Sequence, residues 1–282
     1  MNIIELFDEL KIDKSNILLF STEDIKRVEK QVNAEKRINT EIDSKTSENL
    51  ITVLKEYKEE LLFVMSNHIL FNFFTHNNFS KNDFSNYNLT VSDEKIKGFI
   101  SLFLADDLIS FFSFKLSKNT YDNLQELNLL LDLKSYFPEE IIYKMASLVF
   151  SKLDFAVSQL SVSTTSDFSN IGYIKYSTFY DLLSHFATVE LDRKMDNLLL
   201  LVVRSYKKNP SNIFFISVIK SMAFYNAFNE KMTKTLVNNK DLLLASIKDN
   251  ENENDSEKVY RVIQIVLVVI FLLVVLNKSA CH

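Results

Sequence analysis

Apolar residues recur at helical spacing along almost the whole chain, and the pattern breaks where Asn, Ser and Asp accumulate. In MNIIELFDELKIDKS, Ile3, Ile4, Leu6, Phe7 and Leu10 share one side, which predicts a short amphipathic helix. From Thr22 to Ser44 only a thin stripe remains, made by Ile25, Val28, Val32, Ile38 and Ile42 and interrupted at Glu35. It predicts an exposed helix or half of a helical hairpin. Ser47 to His76 carries the cleanest pattern: Leu50, Val53, Leu54, Tyr57, Leu61, Val64, Met65 and His68 fall on one face. A single long helix is expected there, entering the core through LLFVMSNHILFNFF.

The stretch 76–93 is dense in Asn, Ser and Asp, whose side chains compete for backbone hydrogen bonds, and it reads as the main internal loop. Ser92, Asp93 and Glu94 then open a helix through EKIKGFISLFLADDLISFFSF, and another is expected over Tyr121–Ser135. Pro138 suits a first helical position, followed by Glu139 and Glu140, and starts a helix to about Leu160. Within 161–178, Ile171–Tyr176 reads as a short strand or an extended connector and marks a possible sub-boundary. Helical pattern resumes at Phe179–Phe186 and Glu190–Lys207. Asn209-Pro210 breaks it, Ser211 is placed to cap the next helix, and two helices fill Ile213–Lys248. No period is sustained enough for a repeat array.

Then the pattern stops. KDNENENDSEK, 248–258, has no apolar residue and reads as an acidic linker. Beyond it Val262, Ile263, Ile265, Val266, Leu267, Val268, Val269, Ile270, Phe271, Leu272, Leu273, Val274, Val275 and Leu276 form a run broken only by Gln264. A surface helix would show a polar face, and this one has none. Val262–Leu276 alone rises about 22 Å as a helix, and Val259–Asn277 about 28 Å, against a hydrocarbon core of roughly 30 Å. Arg261 and Lys278 are placed to snorkel to the interfaces. At roughly −0.3 to −0.6 kcal/mol per apolar residue, the run contributes on the order of −4 to −8 kcal/mol to insertion, which outweighs one glutamine. A buried core helix would instead need protein around its whole circumference, although this run lies behind a polar linker. The cations Lys258 and Arg261 precede the run and Lys278 alone comes after it, which favours a cytosolic N-terminal side.

Composition sharpens the fold class. Hydrophobic residues make up 47% of the 282, enough for a packed core, whereas glycine and proline number only two each. Sheet folds need glycine in tight turns, so the expectation is an all-α protein: a multi-helix soluble domain (1–248), an acidic linker (249–258), a single C-terminal transmembrane helix (259–277) and a short tail (278–282). The acidic N-terminus, with Glu5, Asp8 and Glu9, does not read as a signal peptide, so the expectation is a single-pass, tail-anchored arrangement with a cytoplasmic body. A formal charge of −5 gives no general attraction to nucleic acid, and no nucleic-acid partner is expected. The one basic cluster, Arg204, Lys207 and Lys208, suits a helix C-terminus. Cys281 is the only cysteine, which rules out an intrachain disulfide.

The search for chemistry yields little. Gly98 and Gly172 are the only glycines, so no phosphate-cradling loop can be written. His68, His76, His185 and His282 lack metal-ligand spacing, and His68, on an apolar face, reads as a hydrogen-bonded core histidine. Asp106 and Asp107 are the one odd pair. All-α isoprenoid synthases hold magnesium on such aspartates, but Ser110 stands where DDxxD would place its third acid. The bland reading is one solvated Asp and one paired with a lysine or a helix end. The leading functional expectation is a non-enzymatic, membrane-tethered interaction or scaffold protein without cofactor or metal. Its partners are the lipid bilayer and another protein, met through 22–44 and 76–93. The competing readings are a membrane-disrupting effector and a magnesium-dependent enzyme built on Asp106 and Asp107.

Overall fold

A computed structural model describes residues 1–79, 91–162 and 167–252, and among these residues every regular element is helical. Thirteen α-helices succeed one another in chain order: α1 Ile3–Glu9, α2 Thr22–Glu35, α3 Ser44–Glu56, α4 Lys58–Ser66, α5 His68–Phe74, α6 Asp93–Phe103, α7 Ala105–Lys118, α8 Tyr121–Leu131, α9 Glu139–Val162, α10 Ser177–Ser184, α11 Val189–Lys208, α12 Ile213–Met222 and α13 Glu230–Asn252. Short 3₁₀ turns occupy Lys14–Leu19, Lys134–Tyr136 and Ser169–Lys175. The chain divides into two compact units, Met1–Leu148 and Val149–His282, with the division inside α9 and upstream of 161–178.

Side-chain caps begin helices where glycine turns are absent. Asn2, Ser21, Asp43, Asn67, Ser92, Thr120, Thr188 and Asn212 each accept a hydrogen bond from a backbone N–H in the first turn of the helix they open. Asn2 goes further, because its Nδ2 donates to the Phe74 carbonyl at 2.9 Å and ties the start of α1 to the end of α5. Neither glycine has positive φ. Lys11, His76 and Asn119 occupy the left-handed region instead, with Asn119 closing α7.

In the first unit, α5 packs against α1, α4, α7 and α8. Its Ile69, Leu70, Phe73 and Phe74 are buried together with Ile3, Ile4, Leu6 and Phe7 of α1. Full burial of each such side chain contributes roughly 1.5–3 kcal/mol. The stripe Ile25, Val28 and Val32 is buried as α2 packs on α3, so this face is used within the unit. Glu35 ends α2, and Ile38 is left exposed.

The long helix expected over Ser47–His76 is three helices. Tyr57 adopts φ −131°, ψ 38° between α3 and α4, and Asn67 breaks α4 from α5 at φ −81°, ψ 110°. Asn67 Oδ1 accepts from Ile69 N and Leu70 N at 3.1 Å, so a side chain here outcompetes helix continuation. The break also turns His68 outward, and it is exposed where the unbroken pattern buried it. Likewise 94–114 splits at Leu104 into α6 and α7.

In the second unit, α12 packs against α10, α11, α13 and the turn Ser169–Lys175. Phe215, Val218, Ile219 and Met222 line its buried side. Ile171–Lys175 is 3₁₀ turn rather than strand, and Tyr176 after it is extended; Tyr173 Oη donates to the Lys152 carbonyl at 2.7 Å and Tyr180 Oη to the Ile174 carbonyl at 2.8 Å, which fixes the turn. Burial holds both phenols above their usual range. Asn212, not Ser211, caps α12, and Ser211 donates to Asn209 Oδ1. Helix α13 runs to Asn252, into the segment read as linker. No helix among the described residues is long and apolar enough to cross a membrane, and the run 259–277 lies outside them.

Candidate functional site

Asp106 and Asp107 stand in the first turn of α7, where the exposed N–H groups and the helix dipole favour carboxylates. Leu104 makes this start without a side-chain cap; it is fully buried and donates to Ile100 O at 3.0 Å while accepting from Leu108 N at 2.9 Å. Asp106 is exposed and Asp107 half-buried. Burial raises the Asp107 carboxyl above the usual range; the Met1 ammonium opposes this, and Glu5 and Asp106 add to it.

Glu5 is held by its own helix. Its Oε2 accepts from Asn2 N at 2.8 Å, completing a capping box, and its Oε1 lies 3.7 Å from His76 Nε2. The His76 ring lies 3.8 Å from that of Phe111, on α7. The structure thus brings Asp107 within electrostatic reach of Glu5, on α1. No group of three or more His, Cys, Asp or Glu side chains placed to hold a metal ion occurs among the described residues.

The pH dependence has a definite sign. The folded state keeps a proton on Asp107 above the pH at which the unfolded chain loses it. Stability therefore falls as pH rises from the ordinary aspartate range through the raised folded value. Asp107→Asn is expected to stabilise the protein above that window, by under about 1 kcal/mol because water screens a half-exposed group, and to change little below it. Thermal melts across the acidic range check this. A destabilised variant at neutral pH would show that Asp107 makes a favourable charged contact instead.

Two buried polar centres were missed in the sequence. Lys115 Nζ donates to Glu126 Oε2, and the side chains are only 7% and 9% exposed. Phe79 N–H donates to the other oxygen, Oε1, at 3.4 Å, and the ammonium lies 5.4 Å from the Phe79 ring centroid. The pair joins α7 to α8 and holds the chain just past α5. The signal was available: Lys115 falls on the stripe Leu108, Phe112, Leu116, and Glu126 between Leu124 and Leu127.

The second centre is Asp192, buried in the first turn of α11. Its Oδ1 accepts from Tyr225 Oη at 2.8 Å and Phe228 N at 3.2 Å, and its Oδ2 from Asn229 N at 2.8 Å. One carboxylate thus anchors the α12–α13 connection at Tyr225, Phe228 and Asn229, while Asn226 N–H donates to Ser184 Oγ and Ala227 N–H to Thr233 Oγ1. Burial first, then the bond to Asp192 and its charge, hold the Tyr225 phenol far above its usual range. Asp192 shares its stripe with Met195, Leu199 and Val202. Both centres are held by hydrogen bonds within the protein.

The residues expected to anchor the chain, Val262 to Leu276, and the flanking Arg261 and Lys278 lie outside the described residues, as do Cys281 and most of the stretch 76–93. Compared with known protein families, curated proteins and solved structures, the chain matches none.

Proposed function

We propose that this chain is a non-enzymatic, tail-anchored protein that holds a helical body at the cytoplasmic face of a membrane, where it meets a protein partner. The observation that carries the reading is the run Val262–Leu276, apolar but for Gln264, behind a segment with no apolar residue. A polypeptide with no polar face at any helical angle is stable in lipid or when enclosed by protein, and the backbone of a helix satisfies its own hydrogen bonds in lipid. Tethering raises the body's effective concentration at membrane-bound partners.

Fractionation tests this directly. The full-length chain is expected to stay with membranes through alkaline carbonate. The double variant V269R/F271R is expected to be released, because two arginines near the middle of the run cost about 5–7 kcal/mol on insertion scales and cancel its gain. Release of the unaltered chain by carbonate, or retention of the variant, would overturn the anchor.

A further inference from the structure

The basic cluster at the end of α11 adjoins an exposed apolar corner. Between Asp196 and Glu230 the chain carries no acid, although Arg204, Lys207, Lys208 and Lys220 fall there and the protein as a whole has a charge of −5. Helix α11 ends at Lys208, and the connection to α12 is tight: Asn209 N–H bonds back to Ser205 O and Tyr206 O, and Asn212 N–H to Asn209 O at 3.2 Å. Arg204 and Lys208 are exposed and Lys207 half-buried. Across that turn Ile213, the first residue of α12, is 76% exposed. Phe214 comes next, half-buried and stacked face to face on half-buried Phe168 at 4.8 Å and 7°. Asp167, next to Phe168 in the chain, accepts from Ser169 N–H at 2.9 Å and is the one acid adjoining the corner in sequence.

We propose that this corner is a docking surface for an anionic phospholipid bilayer, with Arg204, Lys207 and Lys208 against the headgroups and Ile213 with the Phe168–Phe214 stack in the interfacial layer. Cations beside exposed aliphatic and aromatic side chains are the combination that binds such a surface, through charge attraction plus apolar burial. Nucleic acid shares the charge but not the demand for aliphatic surface. The inference rests on the tethered reading, which keeps the corner close to lipid. Its role is to fix how the second unit meets the bilayer, beyond merely holding it nearby.

The absence of tryptophan supplies the test. Ile213→Trp places a single reporter at an exposed position. In the full-length chain with vesicles of phosphatidylcholine and phosphatidylserine, its emission is expected to shift to the blue and to be quenched by brominated lipid. The shift should be lost with phosphatidylcholine alone, at high salt, or in R204Q/K207Q/K208Q. With the anchor broken by V269R/F271R, the same triple substitution is expected to weaken vesicle partitioning about a hundredfold. Emission that is the same on both lipids and unmoved by the triple substitution overturns the proposal, even in a chain that resists carbonate. If instead carbonate strips the unaltered chain while the reporter still enters serine-lipid vesicles, the anchor fails and the docking surface stands. A reporter that responds to RNA but not to vesicles also overturns it.

Discussion

Asp192→Ala is expected to destabilise the Val149–His282 unit by about 3–5 kcal/mol, the largest effect of a single truncation on that side of the chain. The reason is the number of donors left behind. Tyr225 Oη, Phe228 N and Asn229 N all converge on this carboxylate, and Tyr225 is fully buried. Bonds to a charged acceptor are each worth about 1.5–3 kcal/mol, and the abandoned donors lose their hydration without return. Tyr225→Phe removes one donor and should cost about 1–2 kcal/mol. Asp192→Asn should fall between, since one amide oxygen still accepts while the NH₂ faces a backbone N–H. Denaturant midpoints give the order, and hydrogen exchange should show faster opening at 226–232, where the α12–α13 connection loses its anchor. Three variants within about 0.5 kcal/mol of the parent would mean the loop is held by other contacts.

The second large effect is conditional on which partner is removed. Lys115→Met or Glu126→Leu alone should cost about 3–5 kcal/mol, because each strands a buried charge among Leu, Phe and backbone. The double substitution should recover most of that loss. Two buried ions carry a heavy desolvation cost, and apolar side chains of similar volume fill the same space. Phe79 N–H would still lose its acceptor, which limits the recovery. The double-mutant cycle therefore separates pairing from packing, and additive single losses would show that Lys115 and Glu126 act independently.

Much of this architecture was legible in the order of residues. Scarce glycine and proline pointed to the helical class, and α9 begins just after Pro138, as expected. The breaks at Tyr57, Asn67 and Leu104 were not legible, for a physical reason. Helix period alone is indifferent to a single residue whose side chain or packing stops propagation, and Leu104 carries no turn signal at all. His68 went with Asn67 out of the core for the same reason. Asp106 and Asp107 were placed on a helix correctly, but that Asp107 lies within electrostatic reach of Glu5 and the Met1 ammonium is a long-range proximity absent from local pattern. Lys115, Glu126 and Asp192 each sat on apolar stripes, where a charge signals a buried partner but not its identity.

The caps also bear on how the protein ages chemically. Three of these caps, Asn2, Asn67 and Asn212, are asparagines, and asparagine slowly loses its amide to become aspartate. At Asn67 and Asn212 the bonds from the helix they open are accepted by the side-chain oxygen, so the aspartate formed caps as well and adds a negative charge where the helix dipole favours one. At Asn2 the amide nitrogen is itself spent on Phe74 O, and the same conversion would set a carboxylate against a buried carbonyl. Tolerance of that damage is thus unevenly distributed: high at the corners made by Asn67 and Asn212, and low where α1 is fastened to α5.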